Sequence, residues 1–171
     1  MKNKFIAMVV MLLLISVASN AQLRKIGGMK GVEGKFGYTG SGFMMAGMYS
    51  KYVEGGNYYK IGGEYAYELV DNFFVNSILL NINYNLKVYD LNEIVFFHLN
   101  IGGIGGYEMV EENDFVISTN SFVYGPALGG EIECYLDDNL VLIAGGEQRY
   151  IFDSSLGNFN YRIYGGIKYV F

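Results

Sequence analysis

The sequence is poor in the residues that support several common architectures. Its 171 residues include one cysteine, one proline, one histidine and no tryptophan. A single cysteine excludes an internal disulfide framework, and one histidine with one cysteine cannot form a zinc site alone. After Val17 no apolar run approaches the roughly 18–20 residues that a membrane-spanning helix needs. If this part of the chain spans a membrane, it must do so as a closed β-barrel, which also satisfies all backbone polar groups.

Residues 1–21 form a predicted secretory signal peptide. Two lysines precede an apolar run from 5 to 17, and small side chains stand at Ser19 and Ala21, the positions that a signal peptidase reads. Cleavage after Ala21 leaves 150 residues, 22–171, enough for one domain with a substantial core. No cysteine follows the cut, so the sequence does not support a lipid anchor there.

The composition of the chain favours strands, and the predicted mature chain is acidic. The chain has 16 tyrosines, 12 phenylalanines and 24 glycines. Aromatic side chains suit a pleated sheet, and a helical domain of this size would rarely carry so much glycine. With two lysines lost in the signal, 10 basic and 17 acidic side chains give a net charge of −7. A nucleic-acid-binding surface would require a basic patch instead.

The sequence predicts an all-β fold, an eight-stranded, antiparallel, up-and-down outer-membrane β-barrel. Each strand is long enough to cross a bilayer at a tilt, which takes about 9–11 residues. The predicted strands are 30–38, 43–52, 58–69, 73–88, 94–107, 122–136, 139–152 and 160–171. Residues typical of turns fill the connections 39–42, 53–57, 70–72, 89–93, 108–121, 137–138 and 153–159. An even strand number places both barrel termini on the periplasmic side and the longest connection, 108–121, outside the cell.

Alternation within the strands predicts which side chains fill the barrel. In the last strand Tyr161 and every second residue to Phe171 share an apolar face, and Arg162 and Lys168 lie on the opposite face. An eight-stranded barrel is just wide enough to be filled by side chains, and buried charges must be paired. We therefore predict an interior charge network, and no open channel, from the following residues of the last three strands: Glu131, Glu133, Glu147, Arg149, Arg162 and Lys168.

Gly-Gly pairs recur within the predicted strands at 62–63, 102–103, 105–106, 129–130, 145–146 and 165–166. In a small barrel they permit the bending that closure demands. A phosphate-binding loop at 102–107 is the alternative. That segment lacks the G-x-G-x-x-G spacing and a following helix, which argues against it.

The residues that could carry catalysis are few. His98 lies on the polar face of the fifth strand, where hydrogen bonding to interior Asn or Glu is the structural interpretation. A hydrolase would need a serine beside it, and Ser77 is the nearest candidate on the same face. No G-x-S-x-G motif surrounds any serine. Cys134 has the parity of the apolar face and is predicted to be inert, and no cofactor or metal is expected.

The order of residues also resembles a known family, the TraO proteins of Bacteroidetes-type conjugative elements. The resemblance spans nearly all of the mature chain and is carried by the stretches 31–38, 102–108, 122–126 with 129–131, 136–142 and 162–171. They read GVEGKFGY, GGIGGYE, FVYGP with GGE, LDDNLVL and RIYGGIKYVF. The family implies an exported, outer-membrane component of a conjugative DNA-transfer apparatus, and it brings no catalytic residues to this chain.

The leading functional hypothesis is therefore a non-enzymatic outer-membrane part of the conjugation machinery. Its expected partners are outer-membrane lipid, other conjugation proteins and the barrel-assembly machinery, which would recognise the C-terminal strand through Ile167, Tyr169 and Phe171. Direct nucleic-acid binding is not expected. The alternatives are a generic small barrel that stabilises the membrane or mediates adhesion, a lipid-modifying barrel enzyme using His98, and a soluble periplasmic barrel that carries a ligand.

Overall fold

The chain folds into a closed barrel of eight antiparallel strands, as the sequence predicts. A computed structural model describes residues 27–70, 73–111 and 119–171. The predicted signal peptide lies outside them. No helix among the described residues is long and apolar enough to span a bilayer. The strands are β1 (Lys30–Tyr38), β2 (Gly42–Tyr52), β3 (Tyr58–Val70), β4 (Phe73–Leu91), β5 (Val95–Glu111), β6 (Thr119–Tyr135), β7 (Leu140–Tyr150) and β8 (Phe159–Val170).

Every strand pairs with its neighbour in sequence, and β8 pairs with β1 to close the barrel. The closing register runs from Gly31 opposite Val170 to Tyr38 opposite Ile163. Both termini of the barrel thus lie at one rim, which we call the terminal end. At the opposite rim, which we call the loop end, β1, β3, β5 and β7 end, and the described connections there are 39–41 and 151–158.

The alternation of side chains gives the barrel a polar interior and an apolar exterior. Along β8, even-numbered residues such as Arg162 and Lys168 are buried, and odd-numbered residues such as Ile163 and Ile167 are more than half exposed. Because neighbouring strands pair in register, the same inward and outward sets continue around the wall. The inside contains buried Glu, Lys, Arg and Asn, and the outside is mostly Ile, Leu, Phe and Tyr.

The Gly-Gly pair at 62–63 shows why glycine recurs in the wall. A Cβ atom at Gly62 would lie 2.1 Å from the carbonyl oxygen of Gly47 on β2, so only glycine permits this approach of the two strands. At Gly63, which faces outward, a Cβ atom would meet nothing within 4 Å. Gly62 thus permits the close approach of β2 and β3, and Gly63 leaves the outer surface of the wall shallow at this position.

The central hairpins are longer than the sequence predicts. β4 continues to Leu91, β5 to Glu111, and β6 begins at Thr119. Residues 108–111 and 119–121 of the predicted connection therefore belong to β5 and β6, and its remaining residues, 112–118, lie outside the described residues. Polar residues near strand ends are typical of turns, yet Glu108 and Ser121 pair across β5 and β6 as ordinary ladder residues. The β4–β5 turn places Asn92 and Glu93 at φ of 52° and 59°, a tight turn with two left-handed residues.

Candidate functional site

The interior near the terminal end is organised around Glu131. Its carboxylate accepts hydrogen bonds from Lys35 at 2.9 Å and from Lys60 at 2.8 Å. Tyr58 donates to it at 2.6 Å and Tyr164 at 3.0 Å. A carboxylate has roughly four lone-pair positions. These donors, from β1, β3 and β8, therefore saturate Glu131 and tie three strands to β6.

Lys168 joins the other two carboxylates of this cluster. Its ammonium group lies 2.5 Å from Glu133 and 3.0 Å from Glu33. Tyr52 also donates to Glu133 at 2.9 Å. We call this set, in which three acidic and three basic residues balance, the terminal-end cluster: Glu33, Lys35, Lys60, Glu131, Glu133 and Lys168.

A second ionic layer lies closer to the loop end. Arg149 binds Glu64 through two nitrogens, at 2.7 and 2.5 Å, and also contacts Glu147. Arg162 reaches Glu64 at 3.2 Å and Glu68 at 3.0 Å. Bidentate Arg–carboxylate pairs are strong and directional. Two guanidinium groups thus join β7 and β8 to β3 across the barrel.

The structure divides the six residues predicted as one network between these two layers. Glu131, Glu133 and Lys168 belong to the terminal-end cluster, and Glu147, Arg149 and Arg162 belong to the second layer. Their strongest partners lie on β1 and β3, which the predicted network omitted: Glu33, Lys35, Lys60, Glu64 and Glu68. The alternation of side chains along β1 and β3 turns these charges inward, and closure of the barrel decides which charges meet.

Apolar side chains fill the interior beyond both ionic layers. At the terminal end the buried cluster is Tyr52, Tyr58, Phe96, Tyr135, Val141, Ile143 and Val170. Towards the loop end it is Leu79, Ile104, Val123, Ala127 and Ile151. An eight-stranded barrel packed in this way is closed to solvent flow.

His98 is a packed interior residue. It is 3% exposed, its Nε2 atom lies 3.3 Å from the carbonyl oxygen of Gly56, and its ring meets Tyr58 edge-on. Ser77, the predicted nearest serine, pairs with Glu108. That position is ten residues along β5 from His98, about 33 Å at the rise of a strand. The idea that Ser77 could serve His98 as a nucleophile is therefore wrong.

Cys134 is half-buried on the outward face of β6, as its parity predicts. Among the described residues, no group of three or more His, Cys, Asp or Glu side chains is arranged to hold a metal ion.

Aromatic side chains form two belts on the outer wall, one near each end of the barrel. Near the loop end, outward rings contact one another in two runs, one of which links Phe36 to Phe43 at 6.1 Å and Phe43 to Tyr67 at 5.6 Å. The other run is Tyr107, Phe122, Tyr124, Phe152, Tyr150 and Phe159. Near the terminal end the ring pairs are Tyr59 with Tyr84, Tyr89 with Phe97, and Tyr169 with Phe171.

The spacing of the belts matches a bilayer. Phe159 and Tyr169 of β8 are ten residues apart, about 33 Å along a strand. At a tilt of roughly 40° this is about 25 Å along the barrel axis, equal to the apolar band of about 25 Å in membrane barrels. Ile167, Tyr169 and Phe171, the residues predicted for barrel assembly, are all more than half exposed on the outward face.

The sequence matches the family described as "Conjugative transposon protein TraO" over residues 18–171. The chain belongs to the TraO family. No curated protein matches it in sequence. The resemblance to this family is thus confirmed over residues 18–171.

Solved structures show that the TraO-family barrel has the fold of outer-membrane proteins. A major outer membrane protein of Thermus thermophilus superposes with a TM-score of 0.66 at 15% identity, covering 85% of this chain and 100% of that one. The N-terminal β-barrel domain of OprF from Pseudomonas aeruginosa gives 0.62 at 11%, covering 85% and 98%. Neisserial surface protein A gives 0.60 at 16%, also covering 85% and 98%. At sequence identities of 11%, 15% and 16%, these matches show a shared fold alone.

Proposed function

We propose that this TraO-family chain is a non-enzymatic outer-membrane β-barrel that serves as a structural component of a conjugative DNA-transfer apparatus. The family match over residues 18–171 is the observation that carries the assignment to conjugation. The closed barrel with its two aromatic belts supports the location, because such a surface is stable only across a bilayer.

The interior supports a structural role. The charged side chains of both ionic layers pair with one another within the wall and apolar clusters pack beyond them, which supports an interior closed to water flow. The proposed role also does not include binding DNA. The mature chain is acidic, and phosphate binding depends on clustered Lys and Arg.

The orientation we propose places the terminal end in the periplasm and the loop end outside the cell. Membrane barrels have short periplasmic turns and longer outer connections. The terminal-end connections 53–57, 92–94 and 136–139 have at most five residues, whereas the connection 151–158 at the loop end has eight. The loop end is therefore the surface available to partners on the outside.

Deletion of the gene from a donor strain tests the proposal. We expect transfer frequency to fall by orders of magnitude and to recover when the wild-type chain is supplied, with the protein in the outer-membrane fraction. Deletion in the recipient should leave transfer unchanged. A general loss of outer-membrane integrity with normal transfer per surviving donor would instead indicate a generic membrane-stabilising barrel.

A further inference from the structure

Two lysines lie directly opposite each other on the outer wall at the terminal end. Lys30 of β1 pairs with Lys51 of β2, and both side chains are exposed on the outward face. The backbone N–H and C=O groups of Lys30 bond to Phe171 on the other side of β1. The two lysines therefore form a non-hydrogen-bonded pair, the kind in which opposed side chains are closer together. Because like charges directly opposite destabilise a sheet, this arrangement favours an anion bound between the two ammonium groups.

The described part of the chain does not supply that anion. Neither lysine forms an ion pair with a described residue, although the exposed acidic residue Glu54 follows Lys51 by only three positions. Lys87, at the same end of the barrel, differs in this respect because its ammonium group binds Asp90 at 3.0 Å. The sequence from 22 to 32 contains three cationic residues and no acidic one, so the local charge is positive. The counter-charge of the lysine pair therefore has to come from outside the barrel.

The lysine pair lies within the aromatic belt near the terminal end. Phe171 is the neighbour of Lys30 on one side, and Tyr59 is the neighbour of Lys51 on the other. The ring of Tyr59 in turn contacts that of Tyr84 at 4.7 Å. Aromatic belts lie at the level of the lipid headgroups, and lysine keeps its ammonium group in polar surroundings while its stem packs on apolar surface. The anion available at this depth is the phosphate of a phospholipid.

Towards the middle of the wall the same strands form an apolar trough. Gly34, Gly47 and Gly63 are direct cross-strand neighbours on the outward face, and a Cβ atom at any of them would meet nothing within 4 Å. A cavity of about 450 Å³ lies over Gly47 and Gly63 and is lined mostly by apolar groups.

The trough lies at the right depth for an acyl chain of the same lipid. Gly47 is four residues from Lys51, about 13 Å along the strand and about 10 Å along the barrel axis at a tilt of roughly 40°. The hydrocarbon of one leaflet is roughly 15 Å thick, half of the bilayer core. A chain that starts at the lysine pair therefore reaches the trough without leaving its own leaflet.

We propose that the outer wall of β1, β2 and β3 binds one anionic phospholipid of the surrounding membrane. Its phosphate lies between the ammonium groups of Lys30 and Lys51, and one of its acyl chains lies in the trough. Lysine binds phosphate as a point charge, and two unpaired cations favour a headgroup with a net negative charge over a zwitterionic one. In the orientation proposed above, this lipid belongs to the periplasmic leaflet. The inference rests on the proposed membrane location and is independent of the proposed role in conjugation.

Native mass spectrometry of the full mature barrel, released from detergent micelles, counts bound lipids and tests the site. The probes are dioleoyl phosphatidylglycerol and dioleoyl phosphatidylcholine, which share their chains and phosphate but differ in net charge. We expect one phosphatidylglycerol to bind saturably, about tenfold or more tightly than phosphatidylcholine. Inorganic phosphate at the same concentrations should not displace it, because a free ion gains nothing from the trough.

Charge variants, each first shown to migrate as a folded barrel in unheated detergent, locate the headgroup. Lys30→Gln and Lys51→Gln should each weaken the binding of phosphatidylglycerol about fivefold, the factor expected for one cation at an anionic headgroup. Lys87→Gln is the matched control. It removes the same charge from the same end of the barrel, but that charge is already paired with Asp90, so affinity should change less than about twofold.

Glycine variants locate the acyl chain. Gly47→Leu fills the trough without a clash in the wall, because a Cβ atom there meets nothing. It should weaken the binding of dioleoyl phosphatidylglycerol and leave that of the short-chain dihexanoyl form unchanged. Gly103→Leu, on the outward face of β5, is the control and should change neither, since its Cβ atom would make only an ordinary contact at 3.6 Å.

Several results would overturn the proposal. Equal binding of phosphatidylcholine and phosphatidylglycerol would show that the lysine pair does not select a lipid. Equal effects of Lys87→Gln and Lys51→Gln would reduce the attraction to the general charge of the rim. Displacement of the lipid by inorganic phosphate would identify an ion site, and unchanged binding in Gly47→Leu would remove the trough from it. A folded wild-type barrel without any saturable lipid binding would remove the site altogether.

Discussion

Replacement of Glu131 by glutamine should destabilise the barrel far more than its small change in shape suggests. The carboxylate is 1% exposed and accepts hydrogen bonds from Lys35, Lys60, Tyr58 and Tyr164. The glutamine side chain keeps one acceptor oxygen, but its NH₂ group replaces the other and points at cationic neighbours, to which it cannot serve as an acceptor. The three buried lysines of the terminal-end cluster are then left with two carboxylates.

The expected magnitude follows from the uncompensated charge. Breaking a buried ion pair by removing one partner costs about 3–5 kcal/mol, because the remaining charge stays out of water. We therefore expect Glu131→Gln to lower the free energy of unfolding by roughly 3–5 kcal/mol. Urea unfolding of the purified barrel in detergent, monitored by tyrosine fluorescence and heat-modifiable gel migration, measures this change.

A second substitution separates lost charge balance from lost shape. Lys60→Met in the Glu131→Gln background removes the surplus ammonium group while preserving most of its stem. The double variant should be more stable than the sum of the two single effects predicts, by at least about 1 kcal/mol. Asp137→Asn, an exposed carboxylate at the terminal end, is the control and should change stability by less than about 0.5 kcal/mol. A loss below about 1 kcal/mol for Glu131→Gln would refute the reasoning that ion pairing governs this layer.

Three further predictions follow from the wall and its ends. Gly62→Ala should block correct folding, because its Cβ would lie 2.1 Å from a β2 carbonyl oxygen, and the fast-migrating gel form should be lost. Gly63→Ala, where the added Cβ meets nothing, should fold normally. The purified wild-type barrel should add no stepwise ion conductance to a planar bilayer, because its interior is packed; steady channels would contradict this. Replacement of Phe171 by serine should lower the amount of barrel in the outer-membrane fraction without altering signal cleavage, and unchanged assembly would remove this residue from the recognition strand.

The strands were predictable because their pattern is local. Successive side chains of a strand point to opposite faces, so the parity of Arg162 and Lys168 already separates them from Ile163 and Ile167. The ends of β5 and β6 were less predictable. Polar residues such as Glu108 are typical of loops, and only pairing with Ser121 and with the loop-end residue Ser154 shows that the strand continues past that position.

The sequence by itself determined the number of strands, the inward and outward faces, and the presence of acids and bases inside. Only the tertiary structure decided that these charges form two layers, because Arg149 and Glu64 are 85 residues apart and meet only across the closed barrel. Barrel closure and strand stagger decide which inward side chains lie at the same height along the barrel axis. The period of two within a strand tells inward from outward side chains but does not give that height.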